Sequence, residues 1–347
     1  MARRRPGLRV TVEAADMDKS FDPDGKVFQR GGMTIDASGI SMGDERLPGH
    51  FGDASPRGHL NYEDLEIGPV IGQGASSMVL RASWPGRRGV SGREPTLLAL
   101  KVINMFDKSK REQLIRELQS LYKCDCAAIV GFYGAFYREG AITIALEYMN
   151  GGSLANVVAQ VGAVPEAALA HMTFQILWGL AYLKSQKRVH RDIKPSNLLI
   201  NSAGEVKVTD FGVSTTLQNS IAMCGTFVGT FKYMSPERIA SAPYSYASDV
   251  WSSGLVLLEC ATGRYPYPVD DTCIGMAQTI LEAPAPAPPP GASREFGDFI
   301  AGMLPKHPAS RIPAEILLTA PWLCKHGATS VSAAIAGTRK WVNKASS

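Results

Sequence analysis

The chain has little that would tie it to the outside of a cell or to a bilayer. Six cysteines in 347 residues are too few and too scattered for a disulfide framework. Cys124 and Cys126 stand one residue apart, and Cys224, Cys260, Cys273 and Cys324 are isolated. No C-x-x-C pair or adjacent histidine completes a zinc site, so the expectation is reduced thiols in a reducing compartment. No apolar run reaches the ~18 residues a membrane helix needs. The basic N-terminus is not followed by an apolar segment, so no secretory signal is expected. Net charge is only +4, too small to argue for nucleic acid as a partner. What remains is ordinary globular composition, 45% apolar and 20% charged, in a chain long enough for a sizeable core.

Residues 1–64 carry few large apolar side chains and no sustained period of 2 or 3.6, which predicts a disordered extension. Order is expected from Leu65. From there to about residue 149 the pattern is strand-like with one helix. Leu65–Ile71, Met78–Leu80 and Leu97–Ile103 read as strands, and Ile142–Tyr148 as another. The Gly- and Arg-rich stretch 85–95 predicts an exposed hairpin loop. A charged helix is expected over 107–122, with Leu114, Leu118 and Leu121 on one face.

After Gly151-Gly152 the character becomes helical. Leu169, Met172, Ile176, Leu180 and Leu183 form an apolar stripe behind Pro165, which suits a first helical turn. Asp249–Thr262 is nearly all apolar and predicts a buried helix. Ala283–Pro290 alternates Ala and Pro and then ends in three prolines, an extended connector. The fold class is therefore α+β and bilobal: a small β-rich lobe over 65–149 and a larger helical lobe over 150–324, followed by a tail over 325–347 without a legible motif.

The chemistry is written in short polar runs. Gly72-Gln73-Gly74-Ala75-Ser76-Ser77-Met78-Val79 is a loop whose glycines let backbone amides approach a phosphate closely, although Ser77 stands where a third glycine is usual. Lys101 ends an apolar strand, and Glu117, sixteen residues on, is its expected partner. The most specific run is Val189-His190-Arg191-Asp192-Ile193-Lys194-Pro195-Ser196-Asn197, with Asp210-Phe211-Gly212 eighteen residues after Asp192. An acidic base, a second carboxylate and an amide oxygen are what hydroxyl activation and magnesium binding require.

These motifs, in this order and spacing, resemble the protein kinases. The resemblance implies transfer of the γ-phosphoryl group of ATP with Mg²⁺. Asp192 would take the substrate's hydroxyl proton, Lys101, Glu117 and Lys194 would serve the phosphates, and Asn197 and Asp210 would hold metal. Lys194 is the choice of Ser/Thr-type kinases. By the same resemblance adenine would rest between Ile71, Val79, Ala99 and Leu199, with Leu146 behind and its edge on backbone groups of Glu147 and Met149. Ser235-Pro236-Glu237 stands where Ala-Pro-Glu is usual, Arg311 is placed to pair with Glu237, and His307 replaces a common Asp.

The segments LEYMNGGSL, TFVGT and YMSPER narrow the resemblance to the MAP kinase kinases, and within them to the plant and algal branch. That branch carries S/T-x5-S/T in its activation loop, which selects Ser220 and Thr226 as phosphosites; Ala222 rules out the animal spacing. Thr230 would shape the substrate site. Arg191 would meet a phosphate on this loop. Arg3, Arg4 and Arg5, followed by Leu8 and Val10, resemble the docking peptide by which this family holds its MAP kinase. Expected partners are a downstream MAP kinase and an upstream MAP kinase kinase kinase, with the chain monomeric or transiently dimeric. The expected location is the cytoplasm, with the nucleus as a second compartment. The alternatives are a Ser/Thr kinase of another tier and a pseudokinase scaffold. No T-x-Y lies between Asp210 and Glu237, which argues against a MAP kinase, and the full set of catalytic residues argues against a scaffold.

Overall fold

A computed structural model describes residues 26–30, 32–42, 45–46, 60–74, 77–85, 95–104, 114, 118–119, 121–122, 124–210, 231–270 and 272–345. The chain divides into two compact units, Met1–Lys108 with Tyr133–Ala145, and Ser109–Phe132 with Leu146–Ser347.

The first unit carries two sheets. Strands β1 (Phe28–Arg30), β2 (Met33–Asp36), β3 (Gly39–Met42) and β4 (Glu45–Arg46) pair in sequence order. This corrects the expectation of disorder up to residue 64 for the described part of that segment. Alternation explains the sheet: Met33 and Ile35 are buried while Thr34 and Asp36 between them are half-exposed. At the β2–β3 turn the Asp36 carboxylate accepts the Ser38 amide at 2.7 Å and the Gly39 amide at 3.0 Å, a side chain standing in for turn backbone. Phe28 lies 6.4 Å from the Tyr137 ring.

The larger sheet runs in the order β5-β6-β7-β9-β8, with β5 (Glu66–Gln73), β6 (Ser77–Trp84), β7 (Thr96–Asn104), β8 (Phe132–Arg138) and β9 (Ala141–Glu147). The β6–β7 pair keeps register from Ser77 opposite Ile103 to Trp84 opposite Thr96, the hairpin expected around 85–95. Leu98 and Leu100 point inward and pack with Leu65, Ala82, Trp84, Phe136 and Ala145. Truncating Leu100 to alanine there would cost about 2–5 kcal/mol. Leu60 and Tyr62 also pack on this core, and Arg138 sits 4.6 Å over Tyr62 while pairing with Glu63 at 2.8 Å.

In the second unit Leu114, Leu118 and Leu121 are helical and buried. Helix α1 (Leu154–Val161) begins at a capping box between Ser153 and Asn156. Helix α2 (Glu166–Ser185) buries the predicted stripe and also Ala168, Phe174, Gln175 and Leu177, so it is a central helix rather than a one-faced one. A short hairpin, β10 (Leu198–Ile200) with β11 (Val206–Val208), follows. Then come α3 (Pro236–Ile239), the buried α4 (Tyr246–Thr262), α5 (Cys273–Glu282) and α6 (Arg294–Met303). Gly263 ends α4 in the left-handed conformation at φ 74°. Residues 284–289 carry no helix or strand, as the Ala-Pro alternation predicts. Helices α7 (Ala314–Leu317) and α8 (Pro321–Lys325) lead to α9 (Val331–Ala345). Trp322 of α8 packs between Phe296 and Phe299 at 4.8 and 4.7 Å. The stretch without a legible motif is thus a helix, with Ala334 and Thr338 buried.

Candidate active site

The segment His190–Asn197 joins α2 to β10 with no regular structure before a 3₁₀ turn at Pro195–Asn197. Side chains therefore have to fix it. Asp249, in the first turn of α4, accepts the amide of His190 at 2.7 Å, the amide of Arg191 at 2.8 Å and the Tyr244 hydroxyl at 3.3 Å. Burial raises the Asp249 carboxyl, with His190 and these donors opposing it. His190 Nδ1 accepts the Asp192 amide at 3.2 Å, which places the ring proton on Nε2, and Nε2 donates to the Thr209 carbonyl at 3.0 Å. Arg191 adopts φ 74° and Asp210 φ 56°. Each left-handed non-glycine residue costs about 1–3 kcal/mol, and at Arg191 the Asp249 bond holds the strained backbone.

This frame delivers Asp192. Its Oδ2 receives Lys194 Nζ at 2.8 Å and Asn197 Nδ2 at 2.9 Å. Oδ1 has no hydrogen-bond partner among the described residues. Asn197 Nδ2 also donates to the Asp192 carbonyl at 2.9 Å, so its amide nitrogen is committed and Oδ1 is its acceptor end. The Asn197 carbonyl accepts the Thr209 amide at 3.0 Å, and Leu198 pairs with Val208. Asp192, Asn197 and Asp210 thus gather at the open end of one hairpin. An amide oxygen and a carboxylate are hard donors that fit Mg²⁺, and the committed Asn197 nitrogen fixes which end of that side chain would meet it.

Residues named for the adenine edge fall in the same unit. The Glu147 side chain is already spent: Oε1 and Oε2 accept Lys207 Nζ at 2.7 and 2.9 Å, and Oε2 accepts the Gly131 amide at 3.0 Å, which leaves the backbone for the role the resemblance implies. Met149 is buried and Leu199 half-buried. Gly151 donates its amide to the Ile200 carbonyl at 3.0 Å, and a Cβ there would stand 2.8 Å from that oxygen. Glycine is required for this close approach.

In the first unit the residues named for the nucleotide lie on β5–β7. Gly72 pairs with Val79, Val79 with Lys101, and Arg81 with Ala99. Gly74 donates its amide to the Ser77 carbonyl at 2.8 Å, and a Cβ on it would meet Ser77 Oγ at 3.0 Å. The serine in place of a third glycine therefore closes against Gly74. Ile71 and Gln73 are exposed on β5. Ala75, Ser76, Glu117, Ser220, Thr226 and Thr230, with Arg3, Arg4, Arg5, Leu8 and Val10, lie outside the described residues.

Arg311 and Glu237 pair as expected. Nη1 meets Oε1 and Nη2 meets Oε2, both at 2.7 Å. Sequence reasoning missed Tyr244 and Arg238. Arg191 and Arg238 both lie over the Tyr244 ring, at 5.9 and 5.1 Å, and Arg238 Nη1 donates to the Arg191 carbonyl at 2.5 Å. The signal was Arg238 directly after Glu237, but nothing in the spacing says that it turns back to the catalytic loop.

A carboxylate held beside an amide oxygen and a second carboxylate fits the chemistry of a phosphotransferase. The family model for the protein kinase domain matches residues 65–323, and the chain belongs to the protein kinase family. Mitogen-activated protein kinase kinase 2 of Arabidopsis thaliana is 38% identical over 94% of this chain and 91% of its own length. Mitogen-activated protein kinase kinase 3 of the same plant is 42% identical over 88% of this chain, which spans 61% of that relative. The dual specificity mitogen-activated protein kinase kinase dSOR1 of Drosophila melanogaster is 37% identical over 84% of this chain and 80% of its own. Within the kinases this chain is a member of the MAP kinase kinase family. Membership implies ATP as substrate and a divalent metal.

Proposed function

We propose that the chain transfers the γ-phosphoryl group of ATP to the Thr and Tyr hydroxyls of a MAP kinase and so activates it. The observation that carries this reading is the Asp192 carboxylate, with Oδ2 tied by Lys194 and Asn197 and Oδ1 left to orient an incoming hydroxyl and take its proton. Lys194 then offsets charge on the transferred phosphoryl. Asn197 and Asp210 would hold Mg²⁺, which when bound supplies positive charge to the phosphate oxygens. Lys101, supported by Glu117, serves the other phosphates, and the 72–79 loop covers them.

Phosphorylation of Ser220 and Thr226 by an upstream MAP kinase kinase kinase adds about −1.5 to −2 charge per site. The exposed Arg191 is the partner for that charge. Arg3–Arg5 with Leu8 and Val10 form the docking peptide for the MAP kinase, and changing Arg3–Arg5 and Leu8 to alanine should abolish its retention in a pull-down. The protein acts in the cytoplasm, with the nucleus as a second compartment, which a fluorescent fusion would reveal, and as a monomer or transient dimer, which sedimentation would reveal.

The direct test is incubation of the phosphorylated protein with Mg-ATP and candidate MAP kinases, followed by mass spectrometry. Phosphate on a Thr and a Tyr of the MAP kinase activation loop is expected. Phosphate on Ser or Thr of a MAP kinase kinase instead would move the protein to another tier.

A further inference from the structure

We propose that Gln175 and helix α9 are positioning elements for Asn197 and Asp210, acting through the β10–β11 hairpin. The inference rests on the reading of those two residues as metal ligands.

The hairpin is only three residues on each strand, too short to be stable alone. Its two edges are held from outside. On the β10 edge the Ile200 amide donates to the Gly152 carbonyl at 2.9 Å. On the β11 edge the Val208 amide donates to the Ala128 carbonyl at 2.9 Å, and the Val208 carbonyl accepts the Val130 amide at 3.0 Å. The next outward amide on this edge belongs to Val206, and no strand meets it. Gln175 of α2 does. Its Oε1 accepts the Val206 amide at 2.8 Å, and its Nε2 donates to the Gly204 carbonyl at 3.1 Å. The side-chain amide thus acts as a missing peptide group and continues the ladder.

A glutamine in that place needs its own orientation fixed, because a flipped amide would put donor against donor. The Val206 amide, which can only donate, and the Gly204 carbonyl, which can only accept, fix it, and helix α9 adds a further partner that holds the side chain in place. Nε2 also donates to Thr338 Oγ1 at 3.2 Å, in a site where Gln175 is 3% and Thr338 0% exposed. An unmet polar group costs most in such a site. The rest of α9 is shaped for close approach. A Cβ on Gly337 would lie 2.2 Å from the His171 ring, and one on Gly204 would lie 2.4 Å from the Arg339 amide nitrogen and the Ile335 carbonyl oxygen. Arg339 Nε closes the seam on the Ala203 carbonyl at 2.8 Å. The closed end of the hairpin is therefore clamped between α2 and α9, and its open end carries Asn197 and leads into Asp210.

The test uses the full-length Gln175→Met variant, which keeps the volume and removes both functions of the amide. Two quantities are read. One is deuterium exchange of the 198–208 amides in metal-free protein. The other is the free Mg²⁺ concentration that gives half-maximal binding of a fluorescent ATP analogue. Faster exchange centred on Val206 and a rise of about fivefold in the Mg²⁺ midpoint are expected, the equivalent of one ordinary hydrogen bond out of those the variant loses. Binding at saturating Mg²⁺ should be retained. Faster exchange with an unchanged midpoint, or no change in either, would overturn the proposal, since a merely structural role lowers the active fraction without moving the midpoint. Should Gln175→Met fail to fold, Thr338→Val is measured in the same way, with a shift of about twofold expected and no shift refuting. Asn197→Ala separates the underlying reading: if that variant also leaves the midpoint unmoved, the ligand assignment has failed rather than the clamp.

Discussion

Replacing Arg311 by methionine removes a guanidinium whose donors are all committed. Nε and Nη2 donate to the Pro305 and Lys306 carbonyls at 2.9 and 3.0 Å, Nη1 to Ala247 at 2.9 Å, and both Nη atoms to the Glu237 carboxylate at 2.7 Å. The side chains are 0% and 7% exposed, so the variant strands a buried carboxylate whose remaining partners among the described residues are Ser248 Oγ, at 2.7 Å, and its own backbone amide. Breaking a pair of this kind costs about 3–5 kcal/mol, which at roughly 2–4 °C per kcal/mol for a unit of this size lowers the melting temperature by roughly 6–20 °C. Burial raises the Glu237 carboxyl, but Arg311 and Ser248 outweigh it and hold the group below its ordinary value of 4.5. A depressed carboxylate stabilises the fold fully above its unfolded value and loses that contribution as pH falls through the folded one. The gap between wild type and Arg311→Met should therefore be widest near pH 7 and narrow below about pH 4.5. Combining Arg311→Met with Glu237→Leu should restore much of the loss, because the stranded charge is gone. Thermal melts followed by circular dichroism decide it. A single variant melting within about 2 °C of wild type at pH 7, or a gap that widens toward acid, would refute the argument.

Asp249→Asn keeps the shape but loses an acceptor for one of the two catalytic-loop amides; kcat should fall at least about tenfold with a smaller change in KM for ATP, and an unchanged kcat would contradict the role of that carboxylate. Ile35→Asp puts a charge inside the β1–β4 sheet and should expose residues 26–46 to limited proteolysis; equal protease resistance would show that the sheet does not depend on its buried face. Ser220→Ala with Thr226→Ala should prevent activation by an upstream kinase, and full activity after such treatment would reject those phosphosites.

The sequence declares its long elements and its catalytic loop, and is silent about what braces them. The stripe Leu169–Leu183 and the apolar run to Thr262 have enough turns for a period to show, and both are helices in the structure. Asp192, Asn197 and Asp210 could be named because their order and spacing are specific, and the hairpin brings them together. The β1–β4 sheet escaped because its strands span two to four residues, shorter than a readable alternation. Helix α9 escaped for another reason. Its buried side chains are Ala334 and Thr338, too small to mark an apolar stripe. Gln175 is a polar residue on the buried side of an apolar helix, and its partner Thr338 is 163 residues away, beyond any local pattern.

The central claim is that Asp192 takes the proton of a protein hydroxyl while nucleotide and metal are held by other groups. Its most direct test is to follow transfer of ³²P from γ-labelled ATP to a MAP kinase by wild type and by Asp192→Asn, measuring Mg-ATP affinity on the same samples. The variant should bind Mg-ATP within about threefold of wild type and transfer phosphate about 10²–10⁴ times more slowly. Transfer at the wild-type rate by Asp192→Asn would contradict the account.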